Sequence, residues 1–237
     1  MNVRFIPTTR LELVVVILTI LYVAVGVVAS FIDKLWFENV YVVEDGFIES
    51  LTVLALLGIS CIMFSRFIRL YKEINTLFKT GLILMGLLGI FGAGEELSWG
   101  QRILDVESHE FFLKNNTQQE TNVHNLMLDG KKINKIVFSK FLISVVLIYL
   151  VLIPILYNSS AGFKNFADKK AGLPISKLYH FILLLFLMLM TWTSPSRRKD
   201  ELLEFGACFT FLLVFSHPQN QDIFVKKIEP EKKHVLK

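Results

Sequence analysis

The sequence predicts an all-α fold, a polytopic integral membrane bundle of about six transmembrane helices. Three observations predict it. Of the 237 residues, 53% are hydrophobic and only 19% are charged, where a soluble domain carries about 25% charge. The mean hydropathy is +0.53. The apolar residues gather in runs long enough to cross a hydrocarbon layer of about 30 Å. Inside such a layer the backbone must satisfy its own hydrogen bonds, which leaves helices for runs of this length.

The first helix is expected over 11–32, after Arg4 and Arg10. Val27-Val28-Ala29 has the small-residue look of a cleavage site. The run is longer than the apolar region of a secretory signal, so it reads as an uncleaved first span. The second is expected over 46–67 and the third over 80–103. The fourth covers 136–157, with Pro154 bending its last turn. The fifth covers 175–192 and the sixth, short but continuous, 201–216. No internal repeat is evident, so residues 1–217 read as one membrane domain. Residues 218–237, with Lys226, Lys227, Lys232 and Lys233, read as a charged cytoplasmic tail. Cys61 and Cys208 both lie in apolar runs, which argues against a disulfide framework.

Six spans put both ends on one side. The N-terminus, the loops near 66–79 and 158–177 and the tail carry the larger share of Lys and Arg, so an N-in/C-in orientation follows from the positive-inside rule. The net charge of +4 is spread over short loops, which suits topology and lipid headgroups. No nucleic-acid signature is present. The partner implied is the lipid bilayer, with an interfacial outer segment between helices 3 and 4. There Phe111, Phe112 and Leu113 precede the polar tract 115–125, and Leu126, Met127 and Leu128 follow it.

This topology gathers acids at the outer end. Glu44, Asp45 and Glu49 start the second helix, Asp200, Glu201 and Glu204 start the sixth, and Glu95 and Glu96 end the third. At helix N-termini acids complement the macrodipole. At a C-terminus they do not, so Glu95 and Glu96 need another reason. Carboxylates at membrane depth are costly and usually functional. On a continuous helix Glu95, Ser98, Trp99 and Arg102 share one face, where Arg102 could neutralise Glu95. Glu96 lies about 100° away, on a stripe with Gly86, Gly89, Ala93 and Gly100 along which another helix can approach closely. Glu96 is therefore the expected central carboxylate, reached by Glu49, Glu204 and His124.

In the outer segment Glu120 and His124 share a face if the tract is helical. Several carboxylates with one imidazole fit Zn²⁺, Mn²⁺ or Fe²⁺ if His124 binds, and Ca²⁺ or Mg²⁺ if only oxygens do. The expected metal ligands are Glu49, Glu96, His124, Glu204 and Glu120. Catalytic candidates are Glu96, Glu95, His124 and Ser98, with Ser98 also readable as a helix-packing hydrogen bonder. Arg102 and Trp99 are candidates for binding an anionic headgroup. No Gly-x-Ser-x-Gly elbow, phosphate loop or dinucleotide fingerprint occurs.

The run Glu95-Glu96-Leu97-Ser98-Trp99-Gly100-Gln101, with the later Glu120-Thr121-Asn122-Val123-His124-Asn125, resembles a group of uncharacterised bacterial polytopic membrane proteins bearing E-E-(I/L)-S-W-G-Q and E-x-N-x-H-N. The resemblance implies a bacterial inner membrane and no particular activity. Trp36, Glu38 and Glu49, with Ser98-Trp99 and His217, are also spaced like parts of the alkaline-ceramidase-like membrane hydrolases. Arg102 and Gln221 stand where that family places zinc-binding histidines, and six helices stand for its seven, so its zinc amidase chemistry does not carry over. The expected function is a hydrolase or transferase acting on a lipid or lipid-linked substrate at an outward acidic centre. The alternative is an ion- or proton-coupled carrier or a membrane assembly subunit. A pathway would need polar residues through the inner halves of the helices, which read as apolar.

Overall fold

A computed structural model describes residue 7 and residues 9–123, 126–128, 131–132 and 142–225. Among the described residues seven main helices carry the fold: α1 (Arg10–Ile32), α2 (Phe47–Leu70), α3 (Thr76–Glu96), α4 (Ser144–Ser159), α5 (Ala161–Ala171), α6 (Leu178–Trp192) and α7 (Lys199–Ser216). The only paired strands among the described residues are two residues each, Met127–Leu128 and Lys131–Lys132. α1, α2 and α3 are long and apolar enough to cross a membrane, and α4 with α5 makes a fourth candidate, a broken span bent by 109°. α6 is apolar but has 15 residues, and α7 carries Lys199, Asp200, Glu201 and Glu204 in its first two turns.

The starts of α1 and α3 have a local cause. Thr9 caps α1 in a capping box with Glu12: Glu12 N–H donates to Thr9 Oγ1 at 3.1 Å, and Thr9 N–H to Glu12 Oε2 at 2.9 Å. α1 stops at Asp33, whose carboxylate then accepts from Trp36 N–H and starts a short turn. Asn75 caps α3 through Phe78 N–H. Pro154 does not make the sharp bend. It lacks an N–H for the Leu150 carbonyl, the backbone widens into a π turn over Ile148–Leu152, and Ser176 Oγ donates to that carbonyl instead. The bend falls at Ser160, where the backbone is extended.

α2 is central, packed against α3 on one side and α7 on the other, and α7 also meets α6 and α1. The small-residue stripe of α3 faces α2. Ser60 Oγ donates to the Gly86 carbonyl at 2.9 Å, and a Cβ at Gly89 would collide with Ser60 and the Leu56 carbonyl. Two cores result. One joins α1, α6 and α7 around Val23, Phe37, Leu187, Leu202 and Phe205. The other joins α2, α3 and α7 around Met63, Phe78, Leu82 and Phe224. Asn220 and Phe224, in the stretch expected to begin the charged tail, are buried against the bundle.

α3 ends at Glu96 rather than near 103. Ser98 (φ 46°) and Trp99 (φ 56°) enter the left-handed region, which is costly for side chains other than glycine. What holds them there is the Trp99 ring. It folds back over Gly94, sits edge-on to Phe91 at 5.7 Å, and donates Nε1–H to Glu95 Oε1 at 2.9 Å. Gly100 (φ 75°) completes the reversal before the short turn Gln101–Leu104. The single face shared by Glu95, Ser98, Trp99 and Arg102 therefore does not exist, because the helix that would carry it is broken.

Candidate functional site

The polar residues of 95–101 are mostly consumed in holding the segment 108–123. Glu95, 6% exposed, accepts from Trp99 on one oxygen and from Val123 N–H on the other at 2.6 Å. Ser98, fully buried, donates to Glu120 Oε2 at 2.5 Å and accepts from Asn122 Nδ2 at 2.8 Å. Gln101 Oε1 accepts from both Thr121 N–H and Ser108 Oγ at 2.8 Å. Asn116 Nδ2 closes the loop on the Asn122 carbonyl and side chain. The two motifs read along the chain are thus the two halves of one hydrogen-bond network. Among the described residues Ser98 has a carboxylate and an amide as partners, an arrangement that orders the loop.

Glu96 is left out of that network. It makes no hydrogen bond or ion pair with a described residue, is half-buried, and lies within electrostatic reach of Glu201, Glu49 and Glu95. Glu204, on an exposed face of α7, is in reach of Glu201, Glu96, Asp200 and Glu49. Cys208, one turn below Glu204, feels both Glu96 and Glu204. Glu49 Oε2 accepts from Asp45 N–H at 2.9 Å. The structure thus brings Glu49, Glu96 and Glu204 to one region from three helices and adds Glu201, which the sequence reading had left as a helix-end acid. It places Glu95 and Glu120 in the loop network. His124 lies outside the described residues, as does the side chain of Arg102. No three His, Cys, Asp or Glu side chains among the described residues are arranged to hold a metal ion.

Two further acids near this end are matched. Glu38 accepts from Ser196 Oγ at 2.6 Å and lies 3.8 Å from Lys34 Nζ. Glu44 meets Gln118 Nε2 at 2.6 Å and Arg198 at 3.7 Å.

At the opposite end lies a polar centre that the sequence reading missed. Glu12 Oε1, with the residue fully buried, accepts from Lys177 Nζ and from Tyr179 OH at 2.7 Å. His180, also fully buried, accepts from Lys177 N–H through Nδ1 at 3.0 Å. Arg66 donates to the Ser216 carbonyl at 3.2 Å and covers the Phe224 ring at 4.0 Å. His217, past the end of α7, has its pKa lowered by burial, with Lys177 and Arg66 adding to the shift and Glu12 opposing it. The sequence held one signal for this centre, the Thr9-x-x-Glu12 capping box, which fixes Glu12 at the start of an apolar run. No known family model, curated protein or solved structure matches this chain.

Proposed function

We propose that the chain is an integral membrane protein of six crossings with both termini on the cytoplasmic side of a bacterial inner membrane. Its outer end binds a cation among Glu49, Glu96, Glu201 and Glu204 and acts there on a lipid or lipid-linked substrate, by metal-assisted hydrolysis or group transfer. The observation that carries this reading is the isolation of Glu96: the motif binds its neighbour Glu95 into the loop network and leaves Glu96 facing other carboxylates. Like charges at membrane depth are relieved by protons or by a bound cation. In this reading Glu96 is ligand or acid/base group, Glu49 and Glu204 are ligands, and His124 supplies a ligand or base. Glu95, Ser98 and Glu120 position the segment that carries His124. Arg102 and Trp99 remain the groups for an anionic headgroup. An imidazole in the set favours Zn²⁺ or Mn²⁺, and oxygens alone favour Ca²⁺ or Mg²⁺. α6 and α7 count as crossings because they pack along the long helices, with Gly206 against Leu187 and Gly26 against Leu202.

The test is metal analysis of the protein purified without chelator, beside Glu96→Gln. One equivalent of a divalent metal in the parent and its loss in the variant is the expected result. No metal in either protein, after incubation with each candidate ion, rejects the metal centre. Cysteines introduced at 46 and 100 should label from the same side, and opposite labelling rejects the topology.

A second reading, a proton- or cation-coupled carrier, draws on the buried Glu12–Lys177–Tyr179–His180 group at the inner end. Cation flux into proteoliposomes that Glu12→Gln and Glu96→Gln each abolish separates it from the enzyme reading.

A further inference from the structure

α4 and α5 together are long and apolar enough for one span, but α5 leaves α4 at 109°. With α4 along the membrane normal, α5 lies close to the membrane plane. The angle is held from several sides. Ser160 Oγ accepts from Phe163 N–H at 3.2 Å and starts α5. Tyr157 OH, on α4, donates to Asp168 Oδ2 at 2.9 Å on α5, and Asn220 Nδ2 donates to the other oxygen at 2.8 Å. The far end of α5 is tied to the turn between α2 and α3. Asn75 Nδ2 donates to the Lys169 carbonyl at 2.6 Å, and a Cβ on Gly81 would lie 2.7 Å from the Ala171 carbonyl.

These contacts join residues 69–79 and 161–171 into one surface, and it is basic. Arg69, Lys72, Lys164, Lys169 and Lys170 are exposed, and none is in an ion pair with a described residue. Lys79 Nζ stands 4.0 Å over the Tyr71 ring. The acids of the two stretches are Glu73 and Asp168, and Asp168 is engaged by Tyr157 and Asn220. Two rings stand open among the cations, Tyr71 at 51% exposed and Phe166 at 43%. A soluble anionic partner requires neither open rings nor a helix laid across the ends of apolar spans. A headgroup layer uses both: rings settle at the boundary of headgroups and chains, and lysine stems run along it to place their charge among phosphates.

We propose that α5 and the turn between α2 and α3 form an interfacial platform that binds the anionic phospholipid headgroups of the adjoining leaflet. The platform needs the long helices to cross a membrane. It is independent of the acidic centre around Glu96 and of which face is cytoplasmic.

The full chain is placed in nanodiscs of one part phosphatidylglycerol to three parts phosphatidylcholine, and the lipids it retains on extraction into detergent are counted by native mass spectrometry. The parent should retain phosphatidylglycerol in preference, and the preference should fade in about 1 M NaCl, where the Debye length is about 3 Å. Hydrogen exchange over 161–171 should be slower in these discs than in phosphatidylcholine alone, with α6 unchanged. A lysine near an anionic surface contributes about fivefold in affinity. Lys169→Gln should therefore lower the preference about fivefold, and Lys164→Gln with Lys169→Gln and Lys170→Gln should abolish it. Equal retention of the two lipids by the parent, or an unchanged preference in the triple variant, would overturn the proposal. So would an equal fall in Lys34→Gln with Arg197→Gln, which removes charge at the other end of the bundle and would assign the effect to net charge. Protection of 161–171 by soluble polyglutamate in phosphatidylcholine discs, with none from phosphatidylglycerol, would assign the surface to a soluble polyanion and overturn it as well.

Discussion

At the end of the bundle that holds Lys177, taken as the inner end in the proposed topology, the buried acid is matched with a base, and at the end that holds Glu96, the proposed outer end, acids face acids. Glu12 and Lys177 lie 165 positions apart in the chain, yet they meet with both side chains essentially unexposed, and Tyr179 adds a hydrogen bond to the same carboxylate oxygen. Glu96 has no such partner among the described residues, and its nearest charges are carboxylates. A buried, hydrogen-bonded ion pair ties α1 to α6 and fixes geometry. A set of like charges from α2, α3 and α7 opposes the packing that brings it together. An arrangement of the second kind persists when the rest of the fold over-determines it, which is where function is to be sought.

The comparison breaks most visibly at the inner end. Glu12→Gln leaves Lys177 buried without its anion and should cost about 3–5 kcal/mol, seen as a large drop in Tm or in the yield of monodisperse protein. Replacing both partners, Glu12→Leu with Lys177→Leu, should recover most of that loss. A double variant as unstable as the single one would show that the pair is not the source. The seam between α2 and α3 sets the level at which Glu96 meets Glu49, and Gly89→Leu should cost about 1–3 kcal/mol by forcing a side chain into Ser60 and the Leu56 carbonyl. An unchanged melting temperature would move that stripe off the seam. Glu95→Gln leaves one of the two described donors to this carboxylate, Trp99 Nε1–H or Val123 N–H, facing an amide nitrogen, at about 1–3 kcal/mol. Its effect should be local, as faster hydrogen exchange across 120–123 with α1 and α6 unchanged.

How much of this was legible in the sequence follows from the range of each interaction. α1, α2 and α3 begin close to where the apolar runs begin, because run length alone sets a span. The end of α3 was not legible. Helical periodicity carried the pattern through Arg102, and nothing local in Leu97-Ser98-Trp99 announces two left-handed residues. They depend on an indole docking over Gly94, which is tertiary packing. The separation of Glu95 from Glu96 was readable from their angular offset, but the partner assigned to Glu95 rested on the continuous helix. The link from Ser98 to Glu120 and Asn122 spans more than 20 positions and could be guessed only as two motifs that occur together. The inner centre was missed because Lys177 was counted as a loop cation. Its burial against Glu12 depends on α5 turning sharply away from α4 and returning the chain to the bundle.

The smallest expected change in stability is the most informative. Glu96→Gln removes one charge from a set of carboxylates, keeps the side-chain volume, and breaks no hydrogen bond to a described residue. Its effect on folding should lie within about 0.5 kcal/mol of zero, or be slightly stabilising as repulsion from Glu49 and Glu201 falls. The matched change at the other end, Glu12→Gln, alters the same atoms with the opposite result, so the pair of variants measures the difference between the two centres directly. If Glu96→Gln melts at or above the parent temperature while metal content or cation flux is lost, the outer acids are held together against their own repulsion for what they bind. A drop in Tm as large as that of Glu12→Gln would mean that Glu96 has a cationic partner in the folded protein and that the outer end, like the inner one, is a structural ion pair. His124 and Arg102 are the first two side chains to test for it, and His124→Gln and Arg102→Gln, each combined with Glu96→Gln in a double-mutant cycle, measure the coupling of each to Glu96.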